Sequence, residues 1–320
     1  MDDVLWPRSL VILIVIVVVA AGGLAGFVYY ETRPKSPGAA VVIVEGDNAT
    51  VNYIGIFGSG SQVGKIFDTS LYAVGSDNAA YPKSLDYHAR GVPANYTPLG
   101  VYVGPSAPSG GYMIGSTTFV SVVTGFWQGL IGLPTNVTSF ITVPPALGYG
   151  PSNPACVRSV SLAYSVPVFL TYSFASFQKA YPGITPLTSL VFTDPHYGWN
   201  DLVYSVNATT VTVQNLPAVG WIAMPQGWPV EVTAITTASN GTSEIQLLNK
   251  LTPDQAGLLA GTDYLGTGPC SSQVSGRFIV TAVDLNAGTY TEDFNPEVQG
   301  QTLIFAVTVV TIYPSGFTLA

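Results

Sequence analysis

Charge is what this chain has least of. Asp, Glu, Lys and Arg together make up 9% of its 320 residues, against about 25% in an average soluble domain. Eighteen acidic residues outnumber ten basic ones, for a net charge of -8, and no Lys/Arg cluster stands out. Binding to nucleic acid is therefore not expected, since it needs clustered cations that release phosphate counterions. Histidine is almost missing: His88 and His196 are the only two. No motif surrounds either one, so both read as structural or surface residues rather than as acid–base groups or metal ligands. Two cysteines, Cys156 and Cys270, are too few for a disulfide-dense scaffold. Disorder is excluded from the opposite direction, because disordered chains are poor in aromatics and this one carries 18 Tyr and 14 Phe. Its surface must then be built from Ser, Thr, Asn and Tyr. Such a surface loses little charge balance when carboxylates protonate, which suits an acidic exterior. The abundant residues are apolar ones, at 48%, with 34 Gly and 24 Pro. That mixture favours many short strands and turns over long helices, and the length leaves room for about two domains.

Leu10 to Tyr30 is an uncharged apolar run. At about 1.5 Å per residue it spans roughly the hydrocarbon thickness of a bilayer. Tyr29 and Tyr30 fall where an interfacial aromatic belt would lie. We read residues 1–9 as a cytoplasmic stub, 10–30 as one transmembrane helix and 31–40 as a linker. The competing reading is a cleaved signal peptide, with Ala20-Ala21-Gly22 as small residues at the cut. Five Asn-x-Thr sequons, at Asn48, Asn95, Asn136, Asn207 and Asn240, make glycan attachment and an extracytoplasmic location for residues 31–320 the expectation. The cysteine pair fits the same compartment as one Cys156–Cys270 disulfide, two buried thiols being the alternative.

Beyond the linker, Val41 to Val44, the turn at Gly46-Asp47 and the alternation through Val51, Tyr53 and Gly55 predict strand, turn, strand. Thr302 to Ile312 predicts a closing strand with Leu303, Phe305, Val307 and Val309 on one face. Phe126, Leu130 and Leu133 have the spacing of one helix face, and Pro134 ends that helix. Within this frame the chain reads Val51-Asn52-Tyr53-Ile54-Gly55, Phe67-Asp68-Thr69-Ser70, Pro98-Leu99-Gly100, Gly125-Phe126-Trp127-Gln128-Gly129-Leu130, Val143-Pro144-Pro145, Tyr149-Gly150 and Gly300-Gln301-Thr302-Leu303-Ile304-Phe305. The ordered set resembles the FKBP-type peptidyl-prolyl cis-trans isomerases. It is most similar to their SlyD-like branch, in a long archaeal-type form with an N-terminal membrane anchor.

The resemblance implies an α+β fold, an antiparallel half-barrel wrapped on a short helix. It divides the half-barrel into 41–150 and a closing part, 287–320. It also implies an apolar proline pocket with Tyr53, Phe67 and Asp68 at wall and rim, Leu99, Val122 and Val123 along the side, Phe126 as floor, Tyr149 as a hydroxyl on the rim and Phe305 as far wall. No cofactor or metal belongs to that chemistry. Prolyl rotation must break amide resonance. A water-excluding apolar site favours the less dipolar, twisted transition state over the planar ground state. With no basic residue expected nearby, the pocket should prefer an apolar residue before proline. Extra residues between Ser70 and Pro98, and between Gly104 and Val122, should fringe it.

Residues 151–286 form the expected insertion. Gly198-Trp199 to Val206 echoes Gly227-Trp228 to Ile235, so a β domain of two repeated units is predicted, with one short helix over Thr252 to Gly261. The insertion resembles, at greater length, the flap domain with which SlyD-like members bind unfolded chains. The function so implied is a membrane-anchored isomerase acting on proline-containing unfolded or exported polypeptides. Two other readings stay open. One is a non-enzymatic chaperone or peptide-binding module of the same fold, and the other a structural protein of the cell envelope.

Overall fold

A computed structural model describes residues 41–316 except 108–111, 238–240, 263–269 and 271–275. The stub, the membrane segment 10–30 and the linker expected from the sequence lie outside the described residues. Among those described, no helix is long and apolar enough to cross a membrane. The protein is mostly β. It divides into two compact units, one ending at Ser152 and resuming at Pro296, the other running from Asn153 to Asn295.

The first unit is built on one sheet. Strand β1 (Asn48–Phe57) pairs antiparallel with the closing strand Leu303–Tyr313, from Asn48 opposite Tyr313 to Phe57 opposite Leu303. Residues far apart in sequence thus occupy the sheet's centre. On one side of this pair lie β2 (Ile66–Thr69) and β3 (Leu99–Tyr102), extended by the hairpin β4 (Tyr112–Ile114) and β5 (Thr117–Val120); on the other lies β6 (Thr138–Val143). This half-barrel curves around helix α2 (Thr124–Leu130), which follows the short α1 (Tyr72–Ser76). A Cβ at Gly125 would run into Val143, and one at Gly129 into Ile141. These two glycines, four apart and so on one face, let the helix axis approach β6. Opposite them, Phe126, Trp127 and Leu130 enter the core with Val51, Tyr53, Leu303, Phe305, Val307 and Val309. The helix stops sooner than its apolar spacing suggests. Gly132 takes a φ of 84° and donates its N–H to Ile43, while Leu133 still packs on the core.

Neither long loop is a simple fringe. Residues 71–97 bring Val74, Tyr81 and Tyr87 against Ile54, Ile56, Ile66 and Ala306, a second, smaller core. Glu297 pins this segment by accepting the backbone N–H groups of Leu85 and Asp86. The loop after Gly104 supplies β4 and β5, so part of it widens the sheet.

The second unit corrects the expectation of two repeated units, because there are three. Residues 157–173 are three consecutive short strands, Val157–Ser161, Ala163–Pro167 and Phe169–Ser173. Each becomes the edge of a separate four-stranded sheet, completed by a later three-stranded meander. The third of these strands joins 191–215, the second 222–249 and the first 260–293. The run has a period of six. Cys156, Leu162 and Val168 are buried, and their carbonyls accept the N–H groups of Phe294, Asn249 and Asn215 in turn. Each meander carries a register shift at the same place, between Val203 and Ser205, Val232 and Ala234, and Val280 and Ala282. Val203, Val232 and Val280 each lie fully buried just before it.

Two boundaries move accordingly. The return to the half-barrel comes after Asn295 rather than at 286/287, because Tyr290 and Phe294 belong to the insertion's core. The helix expected at Thr252 is only a single 3-10 turn, Pro253–Gln255, closed by a capping box from Thr252 and Gln255. The sulfurs of Cys156 and Cys270 are bonded, with Cα atoms 4.8 Å apart, which ties the start of the insertion to its third repeat.

Candidate functional site

Four aromatic rings of the half-barrel converge, each delivered by a different element. Tyr53 comes from β1, Phe67 from β2, Phe126 from α2 and Phe305 from the closing strand. The Phe126 and Phe305 centroids lie 4.8 Å apart at 78°, Phe67 and Phe305 5.6 Å apart at 87°, and Tyr53 and Phe126 6.3 Å apart at 79°. These are edge-to-face contacts, in which the positive edge of one ring meets the negative face of the next. Phe67 reaches its place because residue 55 is glycine: a Cβ there would overlap the Phe67 ring. Leu99, Val122 and Val123 are half-buried and pack against the same cluster. Trp127, to which the sequence assigned no role, is buried in this core beside Phe126.

At the rim the rings end in polar groups. The Tyr53 hydroxyl donates to Asp68 Oδ2. Arg90 Nη2 donates to both the Tyr53 hydroxyl and Asp68 Oδ1, each at 2.8 Å. Burial, reinforced by the Asp68 carboxylate, pushes the Tyr53 hydroxyl well above its ordinary pKa despite the opposing Arg90 charge. Tyr53 therefore stays protonated, as its donation to Asp68 requires. Tyr149 is raised as well, by partial burial first and by Asp68 second. Its side chain is half exposed and its hydroxyl has no hydrogen-bond partner among the described residues. A protonated, unengaged phenol at the rim can donate to an incoming carbonyl.

Arg90 is the residue that sequence reasoning missed, and it overturns the expectation that no basic group lies near this site. It sits in the 71–97 segment, which matches none of the blocks that suggested the fold. Several contacts hold it: its N–H donates to the Tyr96 hydroxyl, Asn95 Nδ2 donates to its carbonyl, and its guanidinium lies 5.9 Å from the Tyr96 ring. The charge is matched by Asp68, so the ring cluster itself gains no free cation. Arg90 and Leu99 also line a groove of about 620 Å3 whose other walls are largely hydroxyl-bearing: Thr50, Thr97, Ser116 and Thr117.

The sequons separate by exposure. Asn48 is 3% exposed in the middle of the sheet, so it drops out as a glycan acceptor. Asn95, Asn136 and Asn207 are exposed, although Asn207 spends its amide closing the turn at Thr209 and Thr210. Asn240 lies outside the described residues. His88 is exposed, with Nδ1 2.7 Å from the Asp86 carbonyl. His196 is half-buried in the second unit, where burial lowers its pKa.

The site thus offers an apolar aromatic floor, a rigid Tyr53–Asp68–Arg90 rim and one unengaged phenol. The phenol is free to donate a hydrogen bond at the edge of this aromatic cluster. No family model and no curated protein matches this chain, so the family reading rests on these residues and their arrangement.

Proposed function

We propose that the half-barrel is a peptidyl-prolyl cis-trans isomerase of the FKBP type, anchored by residues 10–30 and acting outside the cytoplasm on proline-containing unfolded or exported polypeptides. The observation that carries this reading is the convergence of Tyr53, Phe67, Phe126 and Phe305 from four elements onto one spot, edged by Leu99, Val122 and Val123.

In this reading the proline ring rests on Phe126 between Phe67 and Phe305. Water is excluded, so the planar, more dipolar ground state loses solvation that the twisted state needs less. Tyr149 donates to a substrate carbonyl. Asp68 and Arg90 act through Tyr53, fixing the ring's position. The residue before proline contacts Leu99, Val122 and Val123, which favours an apolar side chain.

A protease-coupled assay of the full chain on Leu-Pro and Glu-Pro peptides tests this. We expect turnover of both, with the Leu-Pro peptide several-fold faster. Exchange no faster than the uncatalysed rate on every peptide, by a chain that still suppresses aggregation of an unfolded protein, favours the non-enzymatic binder instead.

A further inference from the structure

The three-fold repeat of the inserted unit makes its exceptions visible. Counting two residues back from the shared register shift, the three meanders place Asp201, Val230 and Phe278 in one slot. All three are buried, and Asp201 is 0% exposed. A carboxyl therefore fills a position that the other two repeats reserve for apolar side chains. Its Oδ1 accepts from the indole N–H of Trp199 at 3.0 Å, while Oδ2 has no donor. Asp194, itself buried, stands within hydrogen-bonding reach of it. Asp194 Oδ1 already accepts the backbone N–H groups of His196 and Tyr197, and neither carboxyl has a lysine or arginine partner among the described residues.

We propose that Asp201 keeps a proton that it donates to Asp194, and that this proton makes the first sheet of the inserted unit an acid-stabilised element that loosens as the pH rises. The proton on Asp201 Oδ2 supplies the missing hydrogen bond, to Asp194. Without it, two carboxylates face each other in a site that offers the second charge neutral donors from Trp199 and Tyr181 but no cation.

The groups around the pair are few. From the end of helix α3 (Phe174–Ala180) comes Tyr181, and from the edge strand Tyr172, their hydroxyls 3.5 Å apart; the Tyr181 hydroxyl also reaches Asp201 and, like the Trp199 indole, opposes the upward shift without cancelling it. Asn215 lies opposite Asp201, but its amide donates to the Pro167 carbonyl. His196 and Tyr197 flank Asp194, and Lys179 on α3 is exposed. A cavity of about 250 Å3 opens beside Asp194, Tyr172 and Tyr181. Burial, and then Asp194, push the Asp201 carboxyl up to about 8, whereas an unfolded aspartate ionises near 3.9.

The sign follows from proton counting. Between those two values the folded sheet holds a proton that the unfolded chain releases. Stability is therefore fully present below the unfolded value and is lost as pH rises through the folded one, by about tenfold in the folding constant per pH unit. His196, whose pKa is lowered, acts in the opposite sense below about 6.5, so the informative window lies above that.

Hydrogen exchange on the full chain, corrected for the intrinsic effect of pH, tests the proposal. Protection within residues 169–215 should fall about tenfold per unit from roughly pH 6.5 and level off near 8, while residues 277–293 serve as the internal reference and stay flat. Asp201→Asn keeps the acceptor for Trp199 and offers Asp194 a permanent donor, so it should abolish the fall. Parallel profiles for the two regions, or for wild type and variant, overturn the proposal. Should Asp201→Asn fail to fold, the carboxyl carbon of Asp201 in the unmodified chain decides: a titration near pH 8 supports the retained proton, and one complete below pH 5 overturns it.

Discussion

In the half-barrel, Tyr53, Phe67, Phe126 and Phe305 reach one point from four unlike elements, whereas in the inserted unit Val203, Val232 and Val280 occupy one place in three like sheets. The consequences differ. A convergent core has no internal reference, so each residue must be judged by its contacts alone. A repeated core carries its own control, and any polar side chain in an apolar slot is exposed by its two counterparts. Two such carboxyls stand out. Glu292 occupies the slot of Val213 and Leu247, and Arg158 reaches it from the slot of Leu170 and Tyr164, with Nε 2.5 Å away. Asp201 has the neutral donors Trp199 and Tyr181 beside it, but the one charged group it faces is another carboxyl. Third-sheet charge is thus neutralised by a guanidinium, while first-sheet charge is relieved by a proton.

Damage to one unit should leave the other folded, and the largest effect is expected at Phe126. Phe126→Ala should abolish prolyl turnover and cost the half-barrel about 3–5 kcal/mol, while a calorimetric transition of the inserted unit stays where it was. Loss of both transitions together would show that the two units do not unfold independently. Removing the Cys156–Cys270 bond comes next. The bridge spans 114 residues, and the chain-entropy model assigns such a loop up to about 4–5 kcal/mol, with measured values often lower. Reduction should speed proteolysis within the insertion and spare turnover of small peptides. Arg158→Met then sharpens the contrast between the carboxyls. It leaves Glu292 buried with, among the described residues, only the Tyr290 hydroxyl as partner, at a cost of about 3 kcal/mol, read as a lower denaturation midpoint of the insertion. Smallest is Tyr149→Phe, which should slow turnover several-fold and leave the melting temperature nearly unchanged. A melting shift with normal turnover per folded molecule would make Tyr149 structural instead.

Much of the half-barrel was legible from apolar alternation in its two central strands. The alternation through Val51, Tyr53 and Leu303 to Val309 named the core faces of the two central strands, and the structure places those residues there. Arg90 was not legible, since its place depends on how the 71–97 segment folds back through Tyr96 and Glu297 rather than on any local pattern. The third repeat escaped for a related reason. Where the first two repeats have Trp199 and Trp228, the third has Gly276, and Phe278 enters the core instead. The signal that could have found it was the six-residue period of 156–173, which sets out three edge strands in advance of their three meanders. Asn48 failed as a sequon because a three-residue pattern carries no information on burial.

The most direct test of the central claim is exchange NMR on a Leu-Pro peptide with the full chain at substoichiometric concentration. The account predicts cis/trans exchange well above the uncatalysed rate, returning to that rate with Phe126→Ala and only partly with Tyr149→Phe. Exchange that stays uncatalysed in the presence of folded wild-type protein, or catalysis that Phe126→Ala leaves intact, would contradict it.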